Sequence, residues 1–172
     1  MKKRGTEGRT EVNPIKKPIT DYISTVYPFL QQILYNIAVY RTIRTRFPLN
    51  DALIENPEQR DFWISTSNNA IQIAIIDWCK VFGSERDNPF HCGKHEDFTV
   101  DEQVCAAMTR FRNKYIAHKT EVEVPVPVLD GSIEVMFEFD KKIREKYDLD
   151  GYQNLEGWYE GYKIQIEDMM EK

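Results

Sequence analysis

The stretch ISTVYPFLQQILYNIAVY, residues 23–40, decides the fold class. Ile23, Val26, Tyr27, Leu30, Ile33, Leu34, Ile37 and Tyr40 recur mostly at intervals of three and four, the period of one face of an α-helix. Pro48 closes this helix. Arg41, Arg44 and Arg46 fall in its last turns, where the helix dipole favours positive charge, so capping is at least as good a reading of them as phosphate binding.

Working outward, a second helix is expected from Pro57 or Glu58 through Trp63, Ala70, Ile71, Ala74, Ile75 and Trp78 to Phe82, with Gly83 as its stop. GSERDNPFHCGKHED, residues 83–97, is loop by composition. Thr99 then offers an N-cap with Glu102 completing a capping box, and Val104, Met108, Phe111 and Tyr115 carry a third helix to about His118. Val122, Val124, Val126 and Val128 alternate like a strand, but the intervening prolines exclude a central one. An extended linker and a helix from Leu129 to Tyr147 are expected there, with a short β-hairpin turning at Asp130-Gly131 as the alternative. Leu155 to Met169 reads as a last, less regular helix. The expectation is all-α: an up-and-down bundle of four to five helices over residues 19–172.

Residues 1–18 hold six basic and two acidic side chains, two Gly and two Pro, and almost no large apolar groups, the composition of a flexible basic arm. Residues 19–120 carry eleven basic and twelve acidic side chains, and residues 121–172 carry six and fourteen, for a net charge of -5 over 172 residues. That total argues against nonspecific coating of nucleic acid and leaves room for a local basic site. Cys79, Cys92 and Cys105 are odd in number with no CxxC spacing, which reads as reduced thiols. No run approaches the length of a membrane span and no apolar run follows the N-terminal charges, so a cytoplasmic protein without membrane contact is expected.

The basic focus is Arg110-Phe111-Arg112-Asn113-Lys114-Tyr115-Ile116-Ala117-His118-Lys119, in a stretch with no acid between Gln103 and Thr120. Four cations and a histidine at one helix end would attract a phosphate, while the plain alternative is that cations suit a helix C-terminus and face water. On an α-helix Arg112 and His118 would point about 120° apart and stand about 9 Å apart along the axis, too far for a tight pair within one chain. His118 would lie close to the buried stripe of Phe111, which also fits a partly buried, carbonyl-capping histidine.

This segment resembles the signature of the HEPN superfamily, small helical bundles that include metal-independent ribonucleases of toxin-antitoxin and abortive-infection systems. The mark is an Arg, a polar residue and a His after four to six intervening positions, here Arg112, Asn113 and His118. RNKYIAH is similar to abortive-infection members, and the helix end Trp78-Cys79-Lys80-Val81-Phe82-Gly83 extends the likeness over residues 60–120. Arg86 to His91 fits the same spacing but contains Pro89 and sits in a loop.

The resemblance implies a homodimer whose two motif copies line one composite cleft, and attack of an RNA ribose 2′-hydroxyl on its adjacent phosphate without metal or cofactor. His118 would be general acid or base, Arg112 would hold the phosphate, and Asn113 would orient substrate or histidine. Lys114, Arg110 and Lys119 would add phosphate contacts. The family implies an antitoxin or defence partner, and its other face is a catalytically silent interaction module in the same kind of system. Cleavage requires Arg112 and His118 to reach a shared, solvent-accessible cleft; the module does not. Thr120 stands where nucleotidyltransferase-regulated members carry a modified Tyr, so that control is not expected.

A zinc site from His91, Cys92 and His95 with Cys79 is a rival that the adjacent ligands make awkward. Signatures of nucleotide loops, zinc proteases and serine hydrolases are absent. Trp158, Tyr159 and Tyr162 suit either base stacking or a core or dimer interface.

Overall fold

The computed structural model describes residues 16–46, 57–85, 87–117 and 125–170. α1 (Lys16–Asp21) runs through a wide turn with i→i+5 hydrogen bonding (Tyr22–Val26) into α2 (Tyr27–Arg46). α3 (Pro57–Phe82), α4 (Glu102–Phe111) with a second wide turn (Arg112–Ala117), α5 (Leu129–Tyr147) and α6 (Leu155–Met170) follow. Among the described residues there is no strand, and none of the helices is long and apolar enough to cross a membrane. The fold class is all-α.

The first wide turn has a local cause. Pro28 has no N–H to give to the preceding turn, and widening that turn places the Tyr27 N–H on the Tyr22 carbonyl, five residues back. α2 buries Leu30, Ile33, Leu34, Ile37 and Ala38 against α3 and α6. α3 answers with Ala70, Ile71, Ala74, Ile75, Trp78 and Phe82, and the Trp78 indole donates to the Ser132 carbonyl at 3.1 Å, tying α3 to α5. Removing water from each such large apolar side chain contributes about 2 kcal/mol.

α3 has the limits expected from Pro57 and Gly83. The Gly83 N–H reaches the Cys79 carbonyl at 3.0 Å, and any Cβ at Gly83 would sit 2.3 Å from that oxygen, so only glycine closes the helix this tightly. α4 starts later than the Thr99 box. Its cap is Asp101, whose Oδ1 accepts from the N–H groups of Gln103 at 2.9 Å and Val104 at 3.0 Å. A carboxylate satisfies two orphan donors and meets the positive helix end, which a threonine hydroxyl does less well.

The hairpin alternative is replaced by helix. Asp130 and Gly131 lie in the first turn of α5, and Ile133, Met136, Phe139 and Ile143 bury at intervals of three, three and four. At the C-terminus of α5, Asp148 adopts a left-handed backbone, φ 53°, which Asp tolerates better than most residues.

Asp140 is 2% exposed and joins three elements. Its Oδ1 accepts from the Tyr22 hydroxyl at 2.7 Å, and its Oδ2 accepts from the Leu155 N–H at 3.1 Å, capping α6 from α5. The Tyr27 hydroxyl donates to the Gln153 carbonyl beside this junction. Arg41 leaves α2 to meet Asp130 Oδ1 at 2.6 Å and the Tyr159 hydroxyl at 3.2 Å, so its role is to link α2 to α5 and α6. Of the arm expected over 1–18, residues 1–15 lie outside the described residues, and 16–18 already belong to α1. Pro48 and the alternating Val122 and Val124 also lie outside them.

Candidate functional site

The basic segment sits where the C-terminal part of α4 packs against the C-terminal end of α3. Phe111 is buried and anchors it. From Arg112 the chain winds as the second wide turn, so the angular offset expected from an α-helix between Arg112 and later residues does not apply. Such turns are frequent at functional sites because they re-aim side chains without ending the helix.

Arg112 differs from its neighbours. Arg110, Asn113 and Lys114 are exposed, whereas the Arg112 side chain is 20% exposed. Its Nε donates to Asn113 Oδ1 at 3.0 Å, and its Nη1 donates to Glu85 Oε1 at 3.1 Å. Two of the expected site residues are therefore joined, and the guanidinium is oriented by an amide and a carboxylate on different elements. His118 and Lys119 lie outside the described residues, and so does Thr120.

Beneath Arg112 is Cys79, whose buried thiol is pushed up to about 11; the Arg112 charge and a hydrogen bond with Thr109 pull in the opposite direction. Cys105 reaches the Phe82 carbonyl at 3.8 Å. Neither thiol is placed as a nucleophile: one is buried and held protonated, the other partly covered against α3.

A cleft of about 520 Å³ opens at the same end of α3, lined by Phe82, Ser84, His91, Lys94, Phe98 and Glu102 among others. Ser84 on its wall precedes Glu85, so the cleft adjoins the Glu85–Arg112 pair along the chain. The His91 ring is taken up locally. Nδ1 accepts from the Gly93 N–H at 3.0 Å and Nε2 lies 3.0 Å from the Gly83 carbonyl, which makes Nε2 the protonated nitrogen. His91 thus caps a short turn (Cys92–Lys94) and fastens it to the end of α3. Cys92 is buried, and the His95 ring packs against Tyr22 at 6.2 Å between centroids. Among the described residues no group of three or more His, Cys, Asp or Glu is arranged to hold a metal ion.

The last helix resolves the aromatic ambiguity toward packing. Tyr159 is buried, Trp158 stacks on Tyr162 at 5.8 Å, and Tyr162 meets Tyr35 of α2 edge-on at 5.5 Å. Glu85 is the site residue that the sequence did not announce. It lies 27 positions before Arg112 in a loop with no period, and its only signal is an acid directly after the helix-closing Gly83-Ser84.

No protein-family model, no curated protein and no solved structure matches this chain.

Proposed function

We propose that this protein is a HEPN-like, metal-independent endoribonuclease of toxin or abortive-infection type. The observation that carries the reading is the state of Arg112. Beside Arg110, Asn113 and Lys114, which are exposed, its side chain is four-fifths covered and held through both Nε and Nη1. A guanidinium fixed before substrate arrives loses little side-chain freedom on meeting a phosphate, and stabilises negative charge at a set position.

In the reaction the ribose 2′-hydroxyl attacks the adjacent phosphorus. A proton leaves the 2′-oxygen for a base, the bond to the 5′-oxygen breaks, and that oxygen takes a proton, leaving 2′,3′-cyclic phosphate and a 5′-hydroxyl. His118 is the proton carrier, because an imidazole titrates near neutral pH. Arg112 holds the non-bridging oxygens, Asn113 holds Arg112, and Lys114, Arg110 and Lys119 supply further phosphate contacts. The attacking 2′-oxygen and the departing 5′-oxygen lie on opposite sides of the phosphorus, so one histidine cannot serve as base and acid in a single concerted step, and the reading includes a homodimer with two motif copies in one cleft. In this reading the dimer surface lies on α3. Residues 62–76 contain no charged side chain, and Phe62 and Ile73 are 59% and 46% exposed there, a charge depletion typical of interface cores. Ile73→Glu is expected to yield a folded monomer by light scattering, with cleavage lost.

The alternative is a catalytically silent module that pairs with an antitoxin or another defence protein. Its support is the same Glu85–Arg112 bond, which gives Arg112 a partner within its own chain. Cleavage of end-labelled RNA in EDTA separates the two. Products ending in 2′,3′-cyclic phosphate, absent with folded His118→Ala, are expected for the ribonuclease; intact RNA with wild type over a wide range of concentration and salt rejects it.

A further inference from the structure

The Glu85–Arg112 pair is asymmetric. The arginine side chain is 20% exposed and the glutamate side chain 60% exposed, so the acid is the partner that can leave. The backbone around Glu85 is held. Gly83 is tied to Cys79, and the Glu85 carbonyl accepts from the Asn88 N–H at 3.0 Å, so departure of the carboxylate needs only side-chain rotation, not loop movement. A carboxylate presents two oxygens to a guanidinium much as a phosphate does, and it uses the same donors. Arg112 keeps its second hold, Nε on Asn113, when Glu85 swings away.

From this we infer that Glu85 is an internal competitor for the anion site: in the free protein its carboxylate occupies Arg112, and an RNA phosphate binds by displacing it. The inference rests on the assignment of Arg112 as a phosphate contact and adds a regulator to it. The acid lowers affinity for isolated phosphates and short RNA, and raises the threshold that a substrate meets before the guanidinium is free. Because an exposed ion pair is weak, the competition is modest and a polyanion making several contacts at once overcomes it. The same contact accounts for an arginine that is ordered yet not permanently committed.

The test uses the full chain and a fluorescein-labelled 2′-O-methyl RNA, which lacks the nucleophile and cannot be cut, with affinity read by fluorescence polarisation at low salt. Glu85→Gln is expected to bind about two- to fivefold tighter than wild type. Asp87→Asn removes an equal charge from an exposed position two residues on and is expected to bind like wild type. In an Arg112→Gln background, Glu85→Gln is expected to give no gain.

Unchanged or weaker binding by Glu85→Gln, an equal gain in Asp87→Asn, a gain that survives Arg112→Gln, or no binding by any variant overturns the inference. Cleavage of ordinary RNA is scored separately. A gain in binding without cleavage keeps the competitor and rejects the ribonuclease. Cleavage that depends on Arg112 without a gain from Glu85→Gln does the reverse.

Discussion

Asp140 and Arg112 are both charged side chains that tie one helix to another element, and the structure treats them in opposite ways. Asp140 is 2% exposed, and its two oxygens are taken by the Tyr22 hydroxyl and the Leu155 N–H, donors that belong to the fold. Arg112 keeps a fifth of its side chain in solvent and shares a bond with an acid that is itself mostly exposed. The first arrangement is closed: no external group can enter without unfolding something. In the second, the partner is an exposed acid, and the proposed exchange of that acid for an outside anion needs no unfolding. A buried charge surrounded by fixed dipoles maintains architecture, while a positioned charge with a replaceable partner is equipped to bind.

The sharpest way to break this contrast is Asp140→Ala, which strands the fully buried Tyr22 hydroxyl and the first N–H of α6 together. Urea unfolding is expected to show a loss of about 3 kcal/mol. A loss below about 1 kcal/mol would place Asp140 among ordinary surface acids. Smaller, at about 1 kcal/mol, is Asp101→Ala, which removes the cap of α4. RNA affinity is expected to stay unchanged there, because the cap lies at the opposite end of α4 from Arg112. Loss of affinity in that variant would mean that the site and the helix start are coupled.

The smallest effect is in pH dependence. Burial raises the Asp140 carboxyl above its ordinary value near 4, against the opposing bonds from Tyr22 and Leu155 and the charge of Arg144. The folded protein then binds this proton more tightly than the unfolded chain does. Asp140 therefore contributes stability that is complete below pH about 4 and declines as pH rises through the raised value. Compared with Asp140→Asn, wild type is expected to be relatively most stable at the acid end of a series of unfolding curves and to lose that advantage on going toward neutral pH. An advantage that grows with pH would reverse the sign of the burial argument.

How much of this was legible in the sequence follows from which signals compete locally. α3 carries Pro57, Gly83 and a clear apolar period, and it forms over the residues that those marks predict. The stretch Ser132–Asp140 satisfied both a period of two and a period near 3.6; burial of Ile133, Met136 and Phe139 on one face settles it as helix. Thr99 and Asp101 are two good caps within three residues, and only the geometry of two N–H groups on one carboxylate separates them. The apolar period of residues 23–40 gave no sign of the wide turn before Pro28, which delivers Tyr22, the donor to Asp140. At the site, Arg112 and Asn113 were readable as a motif because they are adjacent. Glu85 was not, since a contact across 27 residues of helix end and loop leaves no period behind.

The central claim is that Arg112 serves binding and catalysis where Asp140 serves the fold, and Arg112→Gln tests it when unfolding and cleavage are measured on one preparation. The expected result is an unfolding free energy within about 1 kcal/mol of wild type together with loss of RNA cleavage in EDTA. Cleavage retained at the wild-type rate, or activity lost only in step with a large loss of stability, would contradict it.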